Sequence, residues 1–385
     1  MGCIAPDSSH DLYRTQRSGL ADEAAAMQTC ATSAPNMMPR PYRALLAAAI
    51  LPLVPGAIAC VSRVQQRAAP PPAISAAASP RSAAGGTTRP DSLWSPSLGV
   101  TKRVVVHLPP SYASESQRRY PVVYYLHGMW GSERDWADQA RIGAVADSLV
   151  AAGMPELIIV LPDGDNGYYT NWATSNDVNE CRARPPVDEP ASTYCVPVPR
   201  YEDYIARDLV AWVDSTFRTR VDAAHRGIAG LSMGGYGAIT LPLRHPAIWS
   251  AAASHSGVLS VVQSHEVDGA RSTRPGITEL ERQWGPRFWP LIVPVFGRDT
   301  SDWWAREPAR LAEAAAARGA APSIFIDVGT SDRLVLGGNR LFLSELRRLG
   351  IEAEYREWPG AHTWMYWRTH LPESLRWLAE KVSSG

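Results

Sequence analysis

After residue 90, short β-branched and apolar runs alternate with helical patterns, and this alternation limits the chain more than any other feature. The runs are Arg103 to Leu108, Val122 to Leu126, Leu157 to Leu161, Gly227 to Gly230, Ala251 to Ser254, Ser323 to Val328 and Glu352 to Glu357. Each has the length and composition of a buried strand. Between them, Tyr204, Ile205, Leu209, Trp212, Val213 and Phe217 recur at helical spacing, with Asp203, Arg207 and Asp214 expected to face away. A second helix is expected from Gly338 to Leu349, and a helix-like segment from Tyr236 to Leu243. The pattern predicts an α/β domain with a mostly parallel central sheet and helices on both faces. Ligands of such sheets bind beyond the carboxyl ends of the strands, so the loops after strands are where chemistry is sought.

The loop after the Gly227 run reads Gly230-Leu231-Ser232-Met233-Gly234-Gly235 and opens the Tyr236 helix. Glycines there permit a sharp strand-to-helix turn that lifts the serine clear of the backbone, and the helix N-terminus favours developing negative charge. A serine hydroxyl needs a base with a pKa near 7. His362, in Pro359-Gly360-Ala361-His362 after the last strand, occupies that place. His107, His225, His245, His255, His265 and His370 are expected to be structural or exposed, and His127 to shape its loop. Asp332, in the turn Gly329-Thr330-Ser331-Asp332, completes the order Ser, Asp, His. Asp327 competes as the acid but lies inside a strand. Met233 and Met129 are the candidate backbone N–H donors for an oxyanion, one following the serine and one in the loop after an early strand.

Six landmarks occur in order: Leu108-Pro109-Pro110-Ser111-Tyr112, Leu126-His127-Gly128, Leu161-Pro162-Asp163-Gly164, Gly230 to Gly235, Gly329 to Asp332, and Gly360-Ala361-His362-Thr363-Trp364. Together they resemble the esterase D-like, feruloyl esterase-like branch of the α/β-hydrolase superfamily, and more distantly mycolyltransferases. The resemblance spans about residues 92 to 382. It implies an α/β-hydrolase fold and carboxylic ester hydrolysis through an acyl-enzyme, with Ser232, Asp332 and His362 as nucleophile, acid and base and with no cofactor. The same triad would serve an acyltransferase; a non-catalytic binding protein and a peptidase are the remaining alternatives. The chain departs from the pattern in an insert from Asn171 to Arg200 and a Trp-rich stretch from Trp284 to Trp304, both expected to border the acyl pocket. Trp130, Tyr168, Asn171, Trp172 and Trp364 are expected to flank the site, as aromatic surface suits a phenolic acyl group or a sugar.

The segment before residue 92 bears on location. Arg40 and Arg43 precede an apolar run from Ala44 to Ala59 that ends at Ala57-Ile58-Ala59-Cys60, which reads as an export signal with Met37 or Met38 as its start. The run is short of the roughly 20 residues a membrane span needs, and Pro52 and Pro55 interrupt it. Cys60 stands where a lipoprotein cysteine would be lipidated, so a periplasmic, secreted or envelope-tethered protein is expected. Residues 1–60 form the extension and signal, 61–91 a flexible Ala/Pro/Ser-rich linker and 92–385 the esterase domain. An oxidising compartment would let Cys181 and Cys195 form a disulfide. Lys plus Arg equals Asp plus Glu at 38 each, so no net field draws nucleic acid or an anionic membrane. The cysteine and histidine spacings match no preassembled metal site. A small-molecule or glycan-linked ester, acetylated or feruloylated, is the expected partner.

Overall fold

Residues 85–186, 189–262 and 275–384 are described by the computed structural model. The signal-like run, Cys60, most of the linker and His265 lie outside them.

Eight strands form one sheet in the order β1-β2-β4-β3-β5-β6-β7-β8. Their ranges are β1 Thr87–Ser95, β2 Val100–Leu108, β3 Val122–Leu126, β4 Ile158–Pro162, β5 Arg226–Leu231, β6 Ala251–His255, β7 Ser323–Gly329 and β8 Ala353–Trp358. β2 runs antiparallel to β1 and β4, and the remaining pairs are parallel. Alternate strand residues feed two cores. On one face Val123, Tyr125, Ala229, Ala253 and Phe325 pack with α1 (Ile142–Ala151) and the last helix, which contributes Leu371, Leu375 and Leu378. On the other face Val122, Tyr124, Ile228, Ala252 and Ile326 pack with α2 (Met233–Arg244), α3 (Ile277–Phe296), α4 (Pro308–Ala317) and α5 (Leu336–Arg348). The last helix is α6 (Trp364–Ser383). The fold is that of an α/β-hydrolase, with helices on both faces of a mostly parallel sheet.

Three expectations are corrected. β1 begins at Thr87, inside the stretch read as a tether to residue 91. Its sequence is polar and contains Pro90, which an edge strand tolerates because only one side of it needs backbone partners. β8 is only half-buried, since it forms the opposite edge and has a neighbour on one side alone. The Tyr201 to Phe217 helix is composite, Tyr201–Asp203 and Val210–Thr216 flanking a π-helical turn at Tyr204–Leu209. That extra residue per turn rotates the face, so Asp203 is buried, paired with Arg200 at 2.6 Å, where a strict 3.6 period would expose it. α3 is two helical runs joined at Gly285, whose φ is 65°.

The Asn171 to Arg200 insert is closed by a Cys181–Cys195 disulfide. Its Glu189 reaches a buried polar cluster beneath the β4 loop. There Lys102 Nζ lies 2.6 Å from Asp165 and 3.4 Å from Asp163, and the Tyr201 hydroxyl donates to Asp165 at 2.6 Å. Burial opposes the Lys102 charge, but the two aspartates outweigh it and raise its pKa. Burial also pushes Glu189 upward, reinforced by the charges of Asp165 and Asp163, to about 9. Lys102 therefore stays charged beside the two aspartates while Glu189 stays protonated at neutral pH. A carboxyl whose folded pKa is raised holds extra protons in the native state, so it makes stability fall as pH rises. The window runs from the ordinary 4.5 of the Glu189 carboxyl to about 9. Glu189→Gln is expected to flatten the pH dependence of urea-unfolding free energy across that window. An unchanged slope would contradict the assignment.

Candidate active site

Three loops at the carboxyl ends of β5, β7 and β8 meet. Ser232, between β5 and α2, has φ 52° and ψ −116°. For a residue with a side chain this conformation costs about 1–3 kcal/mol and persists only where its surroundings over-determine it. The surroundings do so here. Ser232 N donates to His255 O at 3.0 Å, and Ser232 O accepts from Val258 N at 3.1 Å and from Tyr236 N at 3.1 Å. The glycines are required by contact. A Cβ on Gly230 would lie 2.4 Å from the Gly234 carbonyl carbon, and one on Gly234 would lie 2.4 Å from Leu126 O.

His362 Nε2 is 2.9 Å from Ser232 Oγ, and His362 Nδ1 is 2.7 Å from Asp332 Oδ2. A carboxylate only accepts, so Nδ1 carries the proton and Nε2 presents its lone pair to the serine hydroxyl. Asp332 is buried, and its other oxygen accepts from Leu334 N and Val335 N at 3.2 and 3.3 Å, which fixes the carboxylate plane. The loops carrying acid and base are laced together. Thr330 N donates to Trp358 O and Ser331 N to Gly360 O, both at 2.8 Å, and a Cβ on Gly329 would meet Gly360 O at 2.4 Å. Trp367 stands edge-on to the His362 ring at 5.0 Å. Asp327 does not join this group: its carboxylate lies 2.6 Å from His255 Nδ1 in the core.

The β3 loop lies against the serine turn. A Cβ on Gly128 would come within 3.4 Å of Ser232 Cβ, which brings the Met129 backbone to the same side. Met233 is the first residue of α2, and first-turn amides have no intrahelical acceptor. His127 is buried within this loop. Its Nε2 accepts from Gly164 N at 2.9 Å and its Nδ1–H donates to Gly128 O at 2.8 Å, tying the β3 loop to the β4 loop. Tyr169 adds a bond from its hydroxyl to His127 O at 3.0 Å.

The expected flanking residues separate into two groups. Trp130, with φ 62°, follows the β3 loop, its N–H bonded to Asn166 Oδ1 at 2.7 Å and its ring packed 5.6 Å from Phe288 of α3. Trp364, half-buried beside His362, packs edge-on to Trp136 and Trp367. Tyr168 is instead core, 2% exposed and edge-on to Tyr236 and Phe296. Asn171 is used structurally, its side chain accepting from Asp203 N and its carbonyl from Arg306. Trp172 packs against Tyr194 and Tyr201 and lines a 760 Å³ groove beside the disulfide whose lining includes none of Ser232, Asp332 and His362. Within the Trp-rich stretch, Trp284, Trp289 and Trp303 are buried, and its link to the site is Phe288 against Trp130. The other histidines are held elsewhere: His107 by Asp147, His225 by Asp222, His245 by Glu202, and His370 stacked on Trp358.

The fold and the convergence of loops at its strand ends define an α/β-hydrolase. The chain belongs to the esterase family described as "Putative esterase", whose model matches residues 95–378. It is similar to an esterase of Mycobacterium tuberculosis, 28% identical over 288 residues that cover 70% of this chain and 53% of the relative. The chain thus spans about half the length of that curated relative. An acetyl esterase of Caldicellulosiruptor saccharolyticus is 24% identical, with 68% of this chain and 84% of the relative covered. A solved ferulic acid esterase is 25% identical with a TM-score of 0.59, covering 78% of this chain and 99% of that one.

The contact at Gly234 predicts a measurable asymmetry among glycines. Gly234→Ala must displace the backbone at Leu126 and His127 and is expected to cost about 1–3 kcal/mol or more. Gly276→Ala, where an added Cβ meets nothing within 4 Å, is expected to be near neutral. Urea unfolding of both variants tests this, and equal stabilities would contradict it.

Proposed function

We propose that the protein is a serine-dependent carboxylic ester hydrolase. The observation that carries this reading is the continuous hydrogen-bonded line from Asp332 through His362 to Ser232 Oγ, with the serine half-exposed at the mouth of the sheet. In this mechanism His362 Nε2 takes the hydroxyl proton as Ser232 Oγ attacks the ester carbonyl. Asp332 holds the imidazole in the tautomer that accepts this proton and stabilises the imidazolium that forms. The tetrahedral oxyanion is held by the N–H groups of Met233 and Met129. Collapse expels the alcohol, protonated from His362, and leaves an acyl group on Ser232. A water deprotonated by His362 then releases the acid and restores the serine.

The substrate class we infer is an acetyl or feruloyl ester linked to a sugar or polysaccharide. Relatives named acetyl esterase and ferulic acid esterase support it, as do Trp130 and Trp364 near the two halves of the site. We place the enzyme outside the cytoplasm, either released or held by a lipid on Cys60. The Cys181–Cys195 disulfide supports this because such bonds persist in oxidising compartments. Among the described residues, no helix is long and apolar enough to cross a membrane. We infer an esterase domain that includes β1, which supports a boundary before residue 92.

Turnover of p-nitrophenyl acetate and methyl ferulate by the full chain tests the reading. Ser232→Ala, His362→Ala and Asp332→Asn are each expected to lower kcat by about 10⁴-fold or more. Folded Ser232→Ala protein that retains turnover would refute it.

A further inference from the structure

The buried pair His255 and Asp327 has no part in the mechanism above, yet it joins the serine turn, β7 and α6. The two residues are register partners on β6 and β7, both fully buried, with His255 Nδ1 2.6 Å from Asp327 Oδ2. On the other side of the ring, His255 Nε2 is 2.8 Å from Ser374 Oγ of α6, which in turn lies 2.9 Å from the Tyr125 hydroxyl of β3. The residue types repeat those of a Ser-His-Asp set, but Ser374 Oγ donates to Leu371 O at 3.1 Å and is closed to solvent, so it meets no substrate. The value of the arrangement is geometric.

Each contact of His255 leads to one reacting residue. Its backbone carbonyl accepts the N–H of Ser232. Its Nδ1 side grips β7, and the chain beyond that strand reaches Asp332. Its Nε2 side grips α6, which begins just after His362. The turn that follows continues the clamp: Ser256 N donates to Asp327 O at 2.7 Å, Asn339 Nδ2 to Gly257 O at 2.8 Å and Val258 N to Ser232 O. An apolar side chain at 255 would leave the backbone bonds of this turn available but would lose the ring's polar contacts to Asp327 and Ser374, because packing is non-directional and polar contacts are not.

We propose that His255 is a positioning residue of the site, its ring setting the placement of the acid and base segments through Asp327 and Ser374 relative to the serine turn that its own backbone carbonyl holds. The proposal rests on the serine esterase reading and adds a residue to it. Displacements of about 1 Å among reacting groups cost on the order of 100-fold in rate. His255→Phe, which keeps ring volume and removes both polar contacts, is therefore expected to lower kcat on p-nitrophenyl acetate by about 100-fold while KM stays within about twofold. Ser374→Ala, a smaller lesion, is expected to lower kcat by about tenfold. His255→Asn retains an N–H toward Asp327 and is expected to recover about tenfold of the loss seen with Phe. Circular dichroism and thermal melts identify the folded fraction to which rates are referred, and where His255→Phe does not fold the other two variants decide. A kcat per folded molecule equal to wild type in Ser374→Ala and in either His255 variant would overturn the proposal, since a purely structural role moves Tm alone. Turnover surviving Ser232→Ala would instead overturn the esterase reading beneath it, so the two failures are distinguishable.

Discussion

The left-handed backbone of Ser232 is the constraint around which the rest is arranged. A serine at φ 52° is not a conformation its own preferences select, so neighbours must impose it. Leu126 and His127 press on Gly234 from β3, Ser254 and Gly257 press on Gly235 from β6, and both backbone groups of Ser232 are held by the turn from His255 to Val258. Every one of these contacts depends on parallel strands ending at one level. That is why the α/β architecture and the site are one problem in this chain: loosen the sheet at β3 or β6 and the serine relaxes to an ordinary rotation. In the proposed mechanism the strain has a purpose, since it aims the hydroxyl at His362 while leaving the Met233 amide clear of the helix that follows.

Electrostatics support the same end of the sheet from below. The β4 loop carries Asp163 and Asp165, and Lys102 lies between them as a buried counter-charge. Burial opposes the Asp163 carboxylate, but Lys102, with Arg103 and the backbone N–H of Asp165, holds its pKa below the usual range. His127 then passes the order of this loop to the β3 loop through Gly164 N and Gly128 O. The disulfide-closed insert contributes Glu189 and Tyr194, both buried, to the surroundings of these charges. Removing one member of such a cluster costs more than the pair itself contributes, because the remaining charges stay buried without compensation.

Much of this was legible in the residues. The β3 and β6 runs stood out because each is apolar, short and bounded by turn signals, and the Gly230 to Gly235 segment because glycine is the residue that close backbone contact demands. Ser232, Asp332 and His362 each follow a strand in the sequence, and the structure brings the three within hydrogen-bonding distance. β1 was missed because an edge strand with one wet face carries no apolar run, and Pro90 reads as a breaker until the edge is known. Tyr168 reads as a site aromatic because a sequence does not distinguish an aromatic beside a cleft from one beneath it, and Trp172 because a sequence does not say which groove a side chain lines. Lys102 within Val100-Thr101-Lys102-Arg103 gives no sign of burial, since its aspartates lie sixty residues away. The partners of His255 are illegible for the same reason: Asp327 and Ser374 come from distant segments, and only the folded sheet brings them to one ring.

The central claim is that acyl transfer passes through Ser232 Oγ. The most direct measurement is acid quench of the full chain during turnover of p-nitrophenyl acetate, followed by peptide mass spectrometry. The account predicts an acetyl group on the peptide containing Ser232, present during turnover and lost once substrate is exhausted. An acetyl group that accumulates on another residue, or turnover with no acylated peptide at any time, would contradict it.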